Sequence, residues 1–94
     1  MKITELIFLD NIVEKLARKH NVSEFEVREL FYNSPKFRFI EKGHRQNENI
    51  YGAYGQTYSG RYLVVFFIHK NTKDALIISA RDMTYAERRK YQQK

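Results

Sequence analysis

Three arginines stand at or just past the ends of predicted elements, Arg61, Arg81 and Arg88, and their side chains suit one kind of chemistry. A guanidinium is a planar fork that grips two phosphate oxygens at once. Arginine and tyrosine without a metal are enough for phosphodiester cleavage of RNA. The substrate's own 2′-OH is the nucleophile there, so the protein need only position the strand, move protons and neutralise charge growing on phosphorus. Arg81 is the most pointed of the three: it follows the apolar run Leu76–Ala80 and has to find a partner at the edge of the core. Arg88 and Tyr91 lie three residues apart on a final helix, Glu87 precedes them, and Arg89 and Lys90 add charge. Tyr54 and Tyr58 offer rings for stacking on bases, and His20 closes the first helix.

Each residue also has a purely structural reading. Glu87 fits the third position of a capping box better than the role of general base. Arg81 fits a salt bridge to Asp82 or Glu87, Arg61 fits a turn flank, Tyr54 and Tyr58 fit a strand, and His20 fits the negative end of a helix dipole. Pairing of the strands decides between the readings. If Ser59-Gly60 is a two-residue hairpin turn, Tyr58 faces Arg61, Gln56 faces Leu63 and Tyr54 faces Val65. Tyr54, Gln56, Tyr58 and Arg61 then share a face. Arg61, Arg81 and Arg88 are expected to converge on one phosphate-sized site at the sheet edge.

Other chemistries have no foothold in the residues. The chain has no P-loop, zinc-protease helix, nucleophile elbow or dinucleotide-binding glycine pattern. It has no cysteine, and its three histidines, His20, His44 and His69, lack metal-ligand spacing, so neither a metal nor another cofactor is expected. Met1–Glu5 has no apolar signal region behind it, and the longest aliphatic-aromatic run, Leu63–Ile68, is far too short to span a bilayer. A cytoplasmic protein that makes no membrane contact is the expectation.

The 94 residues fit one domain, 1–94, with a hydrophobic share of 43% and a charged share of 30%, a globular balance. Net charge is +6, unevenly placed. Residues 10–30 carry four basic and five acidic groups, whereas residues 81–94 carry five basic and two acidic ones, a net of +3. Such a basic end suits a polyanion such as nucleic acid, and equally a solvated tail.

The elements that must hold these residues read as α-α-β-β-β-β-α. A first helix covers roughly 11–20, with Ile12 and Leu16 inward and Asn21 as a left-handed cap. Ser23-Glu24-Phe25-Glu26 is a capping box that opens a second helix near 23–33, with Val22 and Val27 as its staple; Val27, Leu30 and Phe31 face the core, and Ser34-Pro35 ends it. Lys36–Glu41 alternates Phe37, Phe39 and Glu41 against Lys36, Arg38 and Ile40. Strands near 50–58, 61–69 and 75–81 follow, the 61–69 strand central because it is apolar on both faces. Thr84-Tyr85-Ala86-Glu87 is a second capping box, opening a helix near 84–92. The fold class is therefore α+β: two N-terminal helices, a four-stranded antiparallel sheet and a short C-terminal helix.

The segments Tyr54-Gly55-Gln56-Thr57, Ser59 to Val65, Ile77 to Thr84 and Glu87 to Tyr91 resemble, in order and character, the second half of the BrnT toxins, and Lys19-His20-Asn21-Val22-Ser23 is similar to the junction between that family's two helices. The resemblance covers about the last forty residues well. It implies a RelE-like fold, metal-independent RNA cleavage and a tight complex with an antitoxin, often of BrnA type and possibly a ribbon-helix-helix protein. It also implies that His20, Arg61, Arg81, Glu87, Arg88 and Tyr91 occupy the family's matching positions. A non-catalytic nucleic-acid-binding or protein-interaction domain using the same basic face is the alternative.

Overall fold

The computed structural model describes residues 1–93. The chain runs β1 (Leu6–Ile7), α1 (Asp10–His20), α2 (Glu24–Tyr32), β2 (Lys36–Glu41), β3 (Ile50–Gln56), β4 (Tyr62–His69), β5 (Ala75–Asp82) and α3 (Tyr85–Gln92). Both capping boxes form: Ser23 Oγ accepts from the amide of Glu26 at 3.1 Å and Thr84 Oγ1 from that of Glu87 at 3.1 Å, and each glutamate reaches back to its cap amide. Asn21 takes the left-handed conformation at the end of α1, with φ at 52°.

The sheet has five strands in the order β1-β5-β4-β3-β2 and is mixed, which corrects the expected four-stranded antiparallel sheet. The extra strand, β1, pairs in parallel with β5, Leu6 opposite Ala75 and Ile7 opposite Leu76. Two residues are too few to leave an alternating pattern, so tertiary pairing alone makes them a strand. The remaining pairs, β2–β3, β3–β4 and β4–β5, are antiparallel.

Alternation along the strands gives the sheet two unlike faces. One holds Ala53, Leu63, Val65, Phe67, Ile77 and Ala80, packed with Leu16 of α1 and Val27 and Leu30 of α2 into the main core, all fully buried. At roughly 25 cal/mol per Å² of apolar surface, this layer is the main source of stability. The other face carries Lys36, Arg38, Tyr54, Tyr62, Val64, Phe66 and Arg81 and is covered by α3. Val64 is fully buried there yet stands apart from the main core cluster.

The β3–β4 hairpin differs from expectation by one residue, with large consequences. Tyr54 pairs with Val64 and Gln56 with Tyr62, and the amide of Thr57 donates to the carbonyl of Arg61 at 3.0 Å. The turn is therefore three residues, Tyr58-Ser59-Gly60, closed by the Gly60 amide on the Thr57 carbonyl at 3.0 Å. Gly60, at φ 96°, supplies the left-handed residue that a three-residue hairpin needs at its last position. Moving the register by one residue changes which face a side chain joins. Arg61, two residues before Leu63, stays in phase with Leu63, Val65 and Phe67 on the side of α1 and α2, and it is Tyr54, paired with Val64, that joins the other face.

Candidate functional site

Six hydrogen bonds hold the Arg61 guanidinium, and none of them points toward α3. Nε and Nη2 grip Asp82 at 2.8 and 3.3 Å, Nη1 meets both carboxylate oxygens of Glu26 at 3.2 and 3.1 Å and the carbonyl of Asn21 at 2.6 Å, and Nη2 donates to the carbonyl of His20 at 3.1 Å. A guanidinium has five N–H donors, so all of its capacity is used. The carboxylates, Asp82 above all, raise its pKa. Arg61 thus pins the end of α1 and the start of α2 to β5. It does not join Arg81 and Arg88, and the expected convergence of three arginines gives way to two groups on opposite faces of the sheet. His20 joins the Arg61 group through its backbone carbonyl, and Tyr58 sits in the hairpin turn, 65% exposed.

On the α3 face the sheet and helix build a second arrangement. Arg81 meets Glu87 end on, Nη1 to Oε1 at 2.7 Å and Nη2 to Oε2 at 3.0 Å, while Oε1 also accepts the Thr84 amide at 2.8 Å. One carboxylate therefore both caps α3 and anchors it to β5. The Arg81 guanidinium and the Thr84 amide together hold the Glu87 carboxyl at about 2, from an ordinary 4.5, and Glu87 in turn raises Arg81. Arg81 also lies over the Phe66 ring, 5.4 Å from its centre.

The rest of α3 rests on aromatic rings. Arg88 lies 4.0 Å from the centre of the Tyr62 ring, Tyr62 meets Tyr91 edge-on at 6.0 Å, and Gln92 Nε2 donates to the Tyr62 hydroxyl at 2.9 Å. Lys36, from the first position of β2, donates to the carbonyls of Tyr91 at 2.6 Å and Gln93 at 3.0 Å and lies over the Tyr91 ring. A cation at the end of a helix satisfies carbonyls that have no partner within it.

Between α3 and the sheet lies a small cleft lined by Lys36, Arg38, Tyr54, Glu87, Lys90 and Tyr91. Five of the residues singled out from sequence are thus on this side of the molecule at or beside the cleft: Tyr54, Arg81, Glu87, Lys90 and Tyr91. Arg88 sits on Tyr62 next to them. Arg89 turns outward over Tyr85, 5.9 Å from its centre. Lys36, Arg38, Tyr62 and Phe66 were missed. The alternation of Lys36–Glu41 had already placed Lys36 and Arg38 on one face. What was lacking was the pairing of Lys36 with Tyr54 and of Arg38 with Gly52, which brings that face beside α3.

The arrangement can hold a phosphate-bearing strand: cations for the phosphates, rings for bases, and tyrosine hydroxyls for proton transfer. Among the described residues there is no group of three or more His, Cys, Asp or Glu side chains placed to hold a metal ion, and no helix is long and apolar enough to cross a membrane. Residues 10–87 match the sequence model of a family described as ribonuclease toxin, BrnT, of type II toxin–antitoxin systems. No curated protein matches the chain.

Proposed function

This chain belongs to the BrnT family of type II toxin–antitoxin ribonuclease toxins, and we propose that it cleaves RNA without a metal on the face covered by α3. The observation that carries the reading is the Arg81–Glu87 pair set beside Tyr54, Tyr91 and the cations of the cleft. In this reading the 2′-OH of one nucleotide attacks the adjacent phosphorus. The O2′–P bond forms and the P–O5′ bond breaks, leaving a 2′,3′-cyclic phosphate and a 5′-OH. Arg81, held flat by Glu87, and Arg88 stabilise the charge growing on the non-bridging oxygens. The hydroxyls of Tyr54 and Tyr91 are the candidates for proton transfer. Glu87 is not the base: a carboxylate held at about 2 takes up a proton poorly near neutral pH. Its part is to orient Arg81 and to cap α3.

The family implies an antitoxin partner. We assign it to the BrnA type, masking the basic face, and place both proteins in the cytoplasm on a RelE-like plan. The test is expression of the chain alone in a bacterial host, with RNA cleavage by the purified protein followed in excess EDTA. Growth arrest, cyclic-phosphate ends and loss of both with Arg81→Ala support the proposal. Cleavage that disappears with EDTA removes the metal-independent mechanism. RNA binding without cleavage identifies a non-catalytic relative.

A further inference from the structure

Arg81 is the arginine that sequence reading favours for phosphate, and part of its capacity is already committed. Glu87 takes both of its outer nitrogens and stays ionised down to about 2. The cleft's other cations differ in how far they are committed. Lys36 is tied to the last carbonyls of α3. Lys90 and Arg38 have no carboxylate within salt-bridge distance among the described residues. Arg38 is the one that the sheet itself positions. It stands on β2 opposite Gly52, with its guanidinium 5.7 Å from the centre of the Tyr54 ring. Gly52 makes that possible: a Cβ there would lie 3.0 Å from Tyr54 Cε1, so the ring leans over the space that a side chain would fill.

We propose that Arg38, with Lys90 across the cleft and Tyr54 as its wall, is the phosphate-contacting subsite for single-stranded RNA, further along the strand from the Arg81–Glu87 pair. The inference rests on the reading of this face as an RNA-cleaving site and adds a contact from β2 to it. The chemistry selects the ligand. A free guanidinium fork takes two phosphate oxygens, and a ring beneath it takes the adjoining base by stacking. Lys36 and Arg81 lie in one lateral row, Lys36–Tyr54–Val64–Arg81, separated by three strand spacings, roughly 14 Å. A single phosphate cannot bridge that gap, so a strand bound at Arg81 extends toward β2 and meets Arg38 next.

The experiment uses the full chain and a single-stranded RNA with every 2′-OH methylated, which binds without being cut. Its affinity is measured by fluorescence anisotropy against salt, beside cleavage of the unmodified RNA. Arg38→Ala is expected to weaken binding about tenfold and to lower the salt slope by about one phosphate contact, with the loss of cleavage appearing in KM. Arg38→Lys keeps the slope, because the charge remains. Arg18→Ala, which removes an exposed charge from α1 on the other side of the sheet, leaves both measurements unchanged. Arg38 is exposed on an edge strand, and equal thermal midpoints confirm that its variants fold. If wild type binds and cleaves while Arg38→Ala matches Arg18→Ala, the subsite is wrong and the functional reading stands. If wild type neither binds nor cleaves RNA, the functional reading fails and takes the subsite with it.

Discussion

The molecule uses one local device twice, on opposite faces of its sheet. At the start of α2, Glu26 closes a capping box with Ser23 and accepts from Arg61; at the start of α3, Glu87 closes one with Thr84 and accepts from Arg81. The surroundings differ. α2 buries Val27 and Leu30 fully, and Arg61 has a second carboxylate and two backbone carbonyls besides Glu26. α3 has no buried residue, and Arg81 has Glu87 and one carbonyl. The same motif is therefore a structural clamp where helices cover a core, and a docking point for a helix that the core does not hold. Stability and activity should separate along this line.

The largest effect is expected at Arg61. Arg61→Ala leaves Glu26, Asp82 and the carbonyls of His20 and Asn21 without their partner, and at 24% side-chain exposure the site is poorly solvated. We expect a loss of about 3 kcal/mol, read as a lower midpoint in urea. An unchanged midpoint would erase the distinction between the two boxes. At Arg81 the loss should fall on activity instead. Arg81→Ala is expected to cut RNA cleavage at least ~100-fold, or about 2.7 kcal/mol of transition-state stabilisation, with a stability change near 1 kcal/mol. If it unfolds the protein as Arg61→Ala does, α3 is part of the core after all.

Acid sharpens the same contrast. The Glu87 carboxyl is depressed from 4.5 to about 2, so it stabilises the fold fully above pH 4.5, and that share disappears as pH falls through about 2. Partial exposure of the pair reduces the share to about 1–2 kcal/mol. Glu87→Gln should flatten the acid limb of the stability curve over that window; an identical acid limb would mean that the pair contributes nothing. The smallest effects belong to the caps themselves. Ser23→Ala should cost about 1 kcal/mol of global stability. Thr84→Ala should cost less than about 0.5 kcal/mol globally, with its main effect in faster amide exchange along α3. Equal global losses at the two caps would show that both helices unfold with the core.

Much of the architecture could be read locally because the interactions that produce it are local. A capping box closes within four residues, so Ser23-Glu26 and Thr84-Glu87 place two helix starts without any knowledge of the fold. The apolar run Leu63–Ile68 puts β4 in the middle of the sheet because only a strand covered on both faces has that pattern. β1 escaped notice because Leu6 and Ile7 become a strand only when β5 lies beside them. About half of the candidate site was legible in the same sense: Arg81, Glu87, Arg88 and Tyr91 follow one another along β5 and α3, and short connections keep them together.

What the sequence determined by itself is the chemistry on offer: arginines and tyrosines at element ends, no cysteine, and two helix caps that each bring a carboxylate. Which arginine serves which purpose was decided by tertiary structure, through the partners that each one meets. Gly60 makes the β3–β4 turn three residues long, so Tyr54 pairs with Val64 and leaves the face on which Arg61 is held by the helix layer. β2 joins β3 through an eight-residue span whose closure no local pattern specifies, and that pairing brings Lys36 and Arg38 to α3. Side chains alternate with a period of two, so register is a long-range property with an all-or-none consequence: one residue in the turn takes Tyr54 off the face of Arg61 and sets it in a row with Val64 and Arg81.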